Sequence, residues 1–109
     1  MADRLLTKRT LIQNTTGAVV MDGVSGDSQT VLSVSICEIS AAAELFDLWV
    51  GVAGGGSPFY IYKNQSISAN ATFVHNDKIV IDDDDELWCK ISTGTGNIDV
   101  IVSYLQQDD

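Results

Sequence analysis

A chain of 109 residues is one domain's worth of protein, burying roughly two-thirds of its unfolded surface, enough for a core without metal or disulfide staples. Hydrophobic residues make up 45%, with nine glycines against a single proline, which excludes a wholly disordered chain and favours short strands joined by glycine turns. The formal charge of −9 argues against a phosphate backbone as direct partner, so nucleic acid is excluded as an expectation.

Charge is unevenly spread. Arg4, Lys8 and Arg9 stand against Asp3, so the first nine residues are at +2 and the rest at −11. Residues 1–9 therefore read as a basic N-terminal arm suited to an acidic neighbour, 10–105 as a single β-sandwich domain, and 106–109 as an acidic C-terminal tail. The first strand is predicted over Lys8–Gln13 and is stopped by Asn14-Thr15-Thr16-Gly17. Ala18–Met21 follows as a short strand, then a loop over 22–28 with two glycines. The longest candidate is Thr30–Ile39, where Leu32, Val34 and Ile36 alternate with Ser33, Ser35 and Cys37. Ala41–Leu45 is locally helix-favouring and predicts at most one turn, with the sheet taking over from Leu45.

Leu45–Val52 alternates again, with Phe46, Leu48, Val50 and Val52 on one face and Asp47 and Trp49 on the other. Gly54-Gly55-Gly56-Ser57-Pro58 is a turn, and Phe59–Lys63 a strand of aromatic and branched residues. Ala71–Val74 and Lys78–Ile81 flank the polar turn His75-Asn76-Asp77. Glu86–Ser92 and Ile98–Leu105, around Thr93–Asn97, read as a terminal hairpin. The whole predicts an all-β fold: a two-sheet antiparallel β-sandwich of about eight strands, jelly-roll or immunoglobulin-like, a choice the sequence leaves open. Its expected core is Leu32, Val34, Ile36, Phe46, Leu48, Val50, Leu87, Cys89, Ile91, Ile98, Val100, Val102 and Tyr104.

Catalytic machinery is not expected. His75 is the single histidine and lies in a predicted turn, where a solvated imidazole outweighs a general base. Gly23-Val24-Ser25-Gly26 falls short of a nucleophile elbow, and neither a P-loop nor a G-x-G-x-x-G fingerprint occurs. No cofactor and no metal are expected. Asp82-Asp83-Asp84-Asp85-Glu86 offers the oxygen ligands calcium favours but lacks the EF-hand spacing, so a solvated acidic turn is the preferred reading. Cys37 and Cys89 fall on faces of different character, which predicts free thiols. The N-x-S/T triplets at Asn14, Asn64 and Asn70 read as polar turns. No leader pattern and no membrane-length apolar run is visible, so cytoplasmic synthesis is expected. Trp49, Trp88, Tyr60 and Tyr62 fall opposite the main apolar stripes and read as outward aromatics at an interface or stacking sugars, with ordinary edge packing as the even alternative.

Tyr60-Ile61-Tyr62-Lys63-Asn64, Ile67-Ser68-Ala69-Asn70, Lys78-Ile79-Val80-Ile81 before an acidic turn, and the closing Val102-Ser103-Tyr104 form a series. Over Leu45–Leu105 this series resembles a recurrent pattern in small structural proteins of tailed bacteriophages. A glycine and single aspartate usual before the penultimate strand are replaced here by the Asp82–Asp85 run. The resemblance implies a non-catalytic virion protein, foremost a capsid decoration (cement) protein on the head. A tail or fibre accessory is the alternative within that class, and a carbohydrate-binding module the alternative outside it. The implied partners are the major capsid protein or other virion proteins and further copies of the chain, with a trimer expected. No membrane partner is expected. The residues expected to make contact are Arg4, Lys8 and Arg9 in the arm, with Trp49, Tyr60 and Tyr62.

Overall fold

The computed structural model describes residues 3–13, 15–52, 56–82, 84–92 and 96–108. Among these residues nine strands are present: β1 (Asp3–Ile12), β2 (Ala18–Asp22), β3 (Asp27–Glu38), β4 (Glu44–Gly51), β5 (Phe59–Ile67), β6 (Thr72–His75), β7 (Ile79–Ile81), β8 (Glu86–Ile91) and β9 (Ile98–Asp108). They form two antiparallel sheets. One runs β1-β9-β3-β6 with β7 also on β3, and the other runs β2-β8-β4-β5. The pairs nest from the ends inward: β1 with β9, β2 with β8, β3 with β6 and β7, β4 with β5. Successive nested pairs alternate between the sheets, and that is the jelly-roll wrapping rather than the immunoglobulin order.

This nesting overturns the expected terminal hairpin. β8 pairs with β2 and β4, whereas β9 crosses to the other sheet and pairs with β1 and β3. The inward residues of β8 (Leu87, Cys89, Ile91) and of β9 (Ile98, Val100, Val102) therefore meet across the sandwich rather than side by side in one sheet. The turn residues 93–95 lie outside the described ones. Ala41–Leu45 holds no helical turn, since Ala41 takes a left-handed φ of 61° and β4 starts at Glu44. Residues 3–9, expected as an arm, are the first part of β1, paired with β9 residue by residue from Asp3↔Gln107 to Ile12↔Ile98. Likewise β9 runs through 106–108, and Gln106 is buried with its Nε2 donating to Asp27 Oδ2 at 2.8 Å.

The core lies between the sheets and comprises Ile12, Val20, Met21, Val31, Val34, Ile36, Phe46, Leu48, Ile67, Ile81, Leu87, Cys89, Ile91, Ile98, Val100 and Val102. Val50 and Tyr104 pack against it, as expected. Leu32 does not belong to it. The β3–β9 register shifts between Val31 and Ser33, so Leu32 is the extra residue of a bulge and Val31 takes the fully buried place. Cys89 is buried and Cys37 half-buried on the outward face, both as free thiols. Burial first, then the Asp47 charge, pushes the Cys89 thiol up to about 12.

One end of the sandwich is tied by a buried carboxylate. Glu38, at the close of β3, accepts from the backbone N–H of Ser40 at 2.8 Å, Ala42 at 3.2 Å and Asn70 at 3.1 Å, and from the Ser40 hydroxyl. It thereby joins the loop before β4 to the turn before β6. The Ser40 hydroxyl foremost, then these N–H groups, outweigh desolvation and hold its pKa down at about 2.

Candidate interaction surface

The residues expected to make contact are distributed over three places. β1 is the edge of its sheet, and among the described residues it pairs only with β9. Ten residues long, without proline and with seven side chains exposed, it leaves one row of backbone donors and acceptors uncovered. It also carries Arg4, Lys8 and Arg9, three of the six cations in the chain. Strand alternation splits them. Arg4 and Lys8 share a face with Gln106 and Val102, where the sandwich interior lies, while Arg9 shares the outward face with Ile101. Arg4 and Lys8 are nevertheless exposed. The four-stranded sheet therefore does not close over this part of β1, and a cationic margin stands out from an acidic body.

Trp49 and Tyr60 lie on the outward face of the four-stranded sheet, but not as free platforms. Register places Val19, Trp88, Trp49 and Tyr60 in one row across β2, β8, β4 and β5. Trp49 stacks on Trp88 (centroids 5.9 Å apart, interplanar angle 17°) and leans on Tyr60 at 5.9 Å. Gly17 closes the remaining side. Its φ of +97° would strain any L side chain, and a Cβ there would stand 3.1 Å from Trp49 Cη2, close enough that the indole would have to shift. Trp49 is left 6% exposed, so the outward-facing indole expected from the alternation is covered by its own row. Trp88 Nε1 donates to Glu86 Oε1 at 3.0 Å. Tyr60 is 45% exposed, with the Lys63 ammonium 4.4 Å from its ring centre.

Beside this row sits Asp47, buried on the same outward face. Its Oδ1 accepts the Asn64 N–H at 2.7 Å, while its Oδ2 faces Lys63 Nζ at 3.5 Å and Lys90 Nζ at 3.7 Å. Asn64 has a φ of 53° at an irregular stretch of the β4–β5 ladder, where β5 fits extra residues against β4. Tyr60 foremost raises the Lys63 ammonium above its ordinary value; desolvation opposes it, and the Asp47 charge adds to the rise.

Tyr62 does not face outward. The register runs Trp49↔Tyr60 and then Leu48↔Tyr62, so Ile61 is skipped and the alternation reverses. Tyr62 packs on the core against Phe46 and Phe73, and its hydroxyl meets His75 Nδ1 at 2.8 Å. His75 is correspondingly buried, 7% exposed, rather than solvated, and its Nε2 has no partner among the described residues. Neither Trp49 nor Tyr62 can therefore stack a sugar.

The acidic run falls at a crossing between the sheets, from β7 to β8. Asp82 and Asp84 are exposed, Asp85 is half-buried and donates its N–H to Asp82 O, and Asp83 lies outside the described residues. Asn70 has a left-handed φ of 57° at a turn, as its turn reading expects, while Asn14 lies outside the described residues.

No protein-family model and no curated protein matches the sequence. Solved structures do match in shape. The chain is similar to one in the acidic stable capsid of Helicobacter pylori bacteriophage KHP30, with a TM-score of 0.60 and 10% identity over 96% of this chain and 88% of that one. It is similar to the core of Drosophila NLP, a structure described for pentamer formation and histone binding, with a TM-score of 0.58 and 12% identity over 97% and 100% of the two chains. A protein of Bacillus endospore appendages, from a family of disulfide-linked pili, gives a TM-score of 0.54 at 10% identity over 99% and 91%. At such identities the likeness is one of fold, and capsid chains are among those that share it.

Proposed function

We propose that this chain is a non-catalytic structural protein of a bacteriophage virion that decorates the head, docking on the major capsid protein through the cationic edge strand β1. The observation that carries this reading is the exposed margin formed by Arg4 and Lys8 on an otherwise acidic jelly roll. An edge strand with unpaired backbone groups and cationic side chains suits an extended acidic segment of a neighbour, by strand addition. The same cations discourage edge-to-edge pairing between copies, because like charges would meet across the new ladder. The phage-capsid likeness in fold supports the class of role, and the residue series from Tyr60 to Tyr104 supports its assignment to tailed phages.

The test uses intact heads of the source phage stripped of this protein. Native chain is expected to re-bind and co-sediment with them, and binding is expected to weaken with salt. Arg4→Glu with Lys8→Glu should abolish binding while leaving the thermal unfolding midpoint close to the native one, since both side chains are exposed. Undiminished binding by that variant would remove β1 from the contact. Gold-labelled antibody on whole particles decides location: label over heads supports decoration, and label on tails moves the protein to a tail or fibre role.

A further inference from the structure

We propose that the outward face of the five-stranded sheet is a self-association surface on which a second copy of this chain packs, sheet against sheet. The register lays this face out in rows. Leu5, Leu105, Thr30 and Val80 form one row, and Arg9, Ile101, Ser35 and Val74 another. Leu11, Asp99, Cys37 and Thr72 close the end. Leu5 is 76% exposed, Val80 59%, Val74 54%, Leu11 49% and Ile101 42%, five of the eleven large hydrophobic residues most exposed among the described ones. Single exposed aliphatics need no account, but five on one regular face, in ridges on either side of β3, single it out as an interaction surface.

Charge and area select the occupant. Two copies at −9 each repel, so they can meet only where charge is sparse. Among the described strand residues, only Asp3, Arg9 and Asp99 are charged on this face, and all three lie on β1 and β9, toward one edge. Four strand columns about 4.8 Å apart and ten residues at about 3.4 Å give roughly 650 Å² per copy. That approaches the ~800 Å² per partner of a standard interface and exceeds a typical packing contact. Serine and threonine on β3 keep the middle of the face low between the aliphatic ridges, as sheet stacking at about 10 Å requires. Arg4 and Lys8 lie on the opposite face of β1, so association leaves them free. The contact is two-fold and yields a dimer, not the trimer expected from sequence.

Sedimentation velocity over a wide concentration range tests this without any capsid, so its outcome is separate from the head-binding reading. The native chain should show a monomer–dimer equilibrium. Ile101→Lys with Val74→Lys should raise the dimer dissociation constant by roughly thirtyfold or more, the scale of losing one hot-spot residue. Val52→Lys, at an exposed aliphatic after β4, should leave it unchanged. A second readout needs no variant: Cys37 alkylation should slow as concentration rises, with buried Cys89 as the unreactive reference. A chain monomeric at every concentration, a trimer, or a dimer that survives both lysines would overturn the proposal. So would Cys37 protection that arises only when capsid subunits are added.

Discussion

The two outward faces of this sandwich solve the same problem differently. On the four-stranded sheet, Val19, Trp88, Trp49 and Tyr60 cover one another, and a buried Asp47 is closed in by Lys63 and Lys90. On the five-stranded sheet, side chains of similar hydrophobicity are aliphatic or small and stand apart, so Leu5, Val74 and Val80 stay more than half exposed. Large rings bridge the ~5 Å between strands and bury each other, whereas valine and serine do not reach. A sheet face can thus be finished within the chain or left to be finished by a partner, and side-chain size in each cross-strand row decides which.

Removing the centre of the finished face should have the largest effect. Trp49→Ala takes out an indole held between two rings and the Gly17 backbone, and should cost about 3–4 kcal/mol in urea unfolding. A loss under about 1 kcal/mol would show that the aromatic row is surface decoration and would erase the contrast. Gly17→Ala attacks the same ring from the other side, through both the +97° φ and the 3.1 Å contact. It should cost about 1–3 kcal/mol.

Polar groups provide the next step down. Tyr62→Phe leaves His75 without its hydroxyl partner, and both ring nitrogens then lie buried without a partner among the described residues. The expected loss is about 1–3 kcal/mol, read as a lower urea midpoint at constant slope. Asp47→Ala should fall in the same range, because the Asn64 N–H loses its acceptor while Lys63 and Lys90, both partly exposed, return to water.

How much of this could be read beforehand follows from the same residues. The outward placement of Ser33, Ser35 and Cys37, and the inward one of Phe46, Leu48, Leu87, Cys89, Val100 and Val102, follow from period-two alternation. Alternation fails where a bulge inserts a residue. Leu32 and Ile61 each reverse the phase, which removes Leu32 from the core and turns Tyr62 into it. Nor does alternation reveal which strand lies alongside, so the burial of Trp49 by Trp88, 39 positions away, had no local signal, and β8 and β9 passed for a hairpin. The cationic residues were legible as a group. Their division between two faces of a paired strand was not, because a basic start reads as an arm until a partner strand is known.

Glu38 provides a pH test independent of either face. Its folded pKa of about 2 lies below the ordinary 4.5, so its contribution is complete above 4.5. It is lost as pH falls from there through about 2, because the unfolded chain takes up the proton first. Glu38→Gln should therefore be less stable than the native chain at pH 7, and the gap in urea midpoint should narrow below pH 4.5. A gap that stays constant down to pH 2.5 would mean the carboxylate charge is not what ties the two loops.

The smallest expected effect bears most on the contrast between faces. Leu5→Thr changes a side chain that is 76% exposed in a β1 position that threonine suits. In a chain dilute enough to be monomeric, the folded state loses almost no buried area, and the change in unfolding free energy should stay within about 0.5 kcal/mol. The same substitution at high concentration should lower the unfolding midpoint further, because a partner that binds only the folded chain adds stability by mass action. The two concentrations thus separate what Leu5 does within the chain from what it does between chains. A loss above 1 kcal/mol in the dilute sample would mean that the five-stranded face, like the aromatic one, is already finished from within.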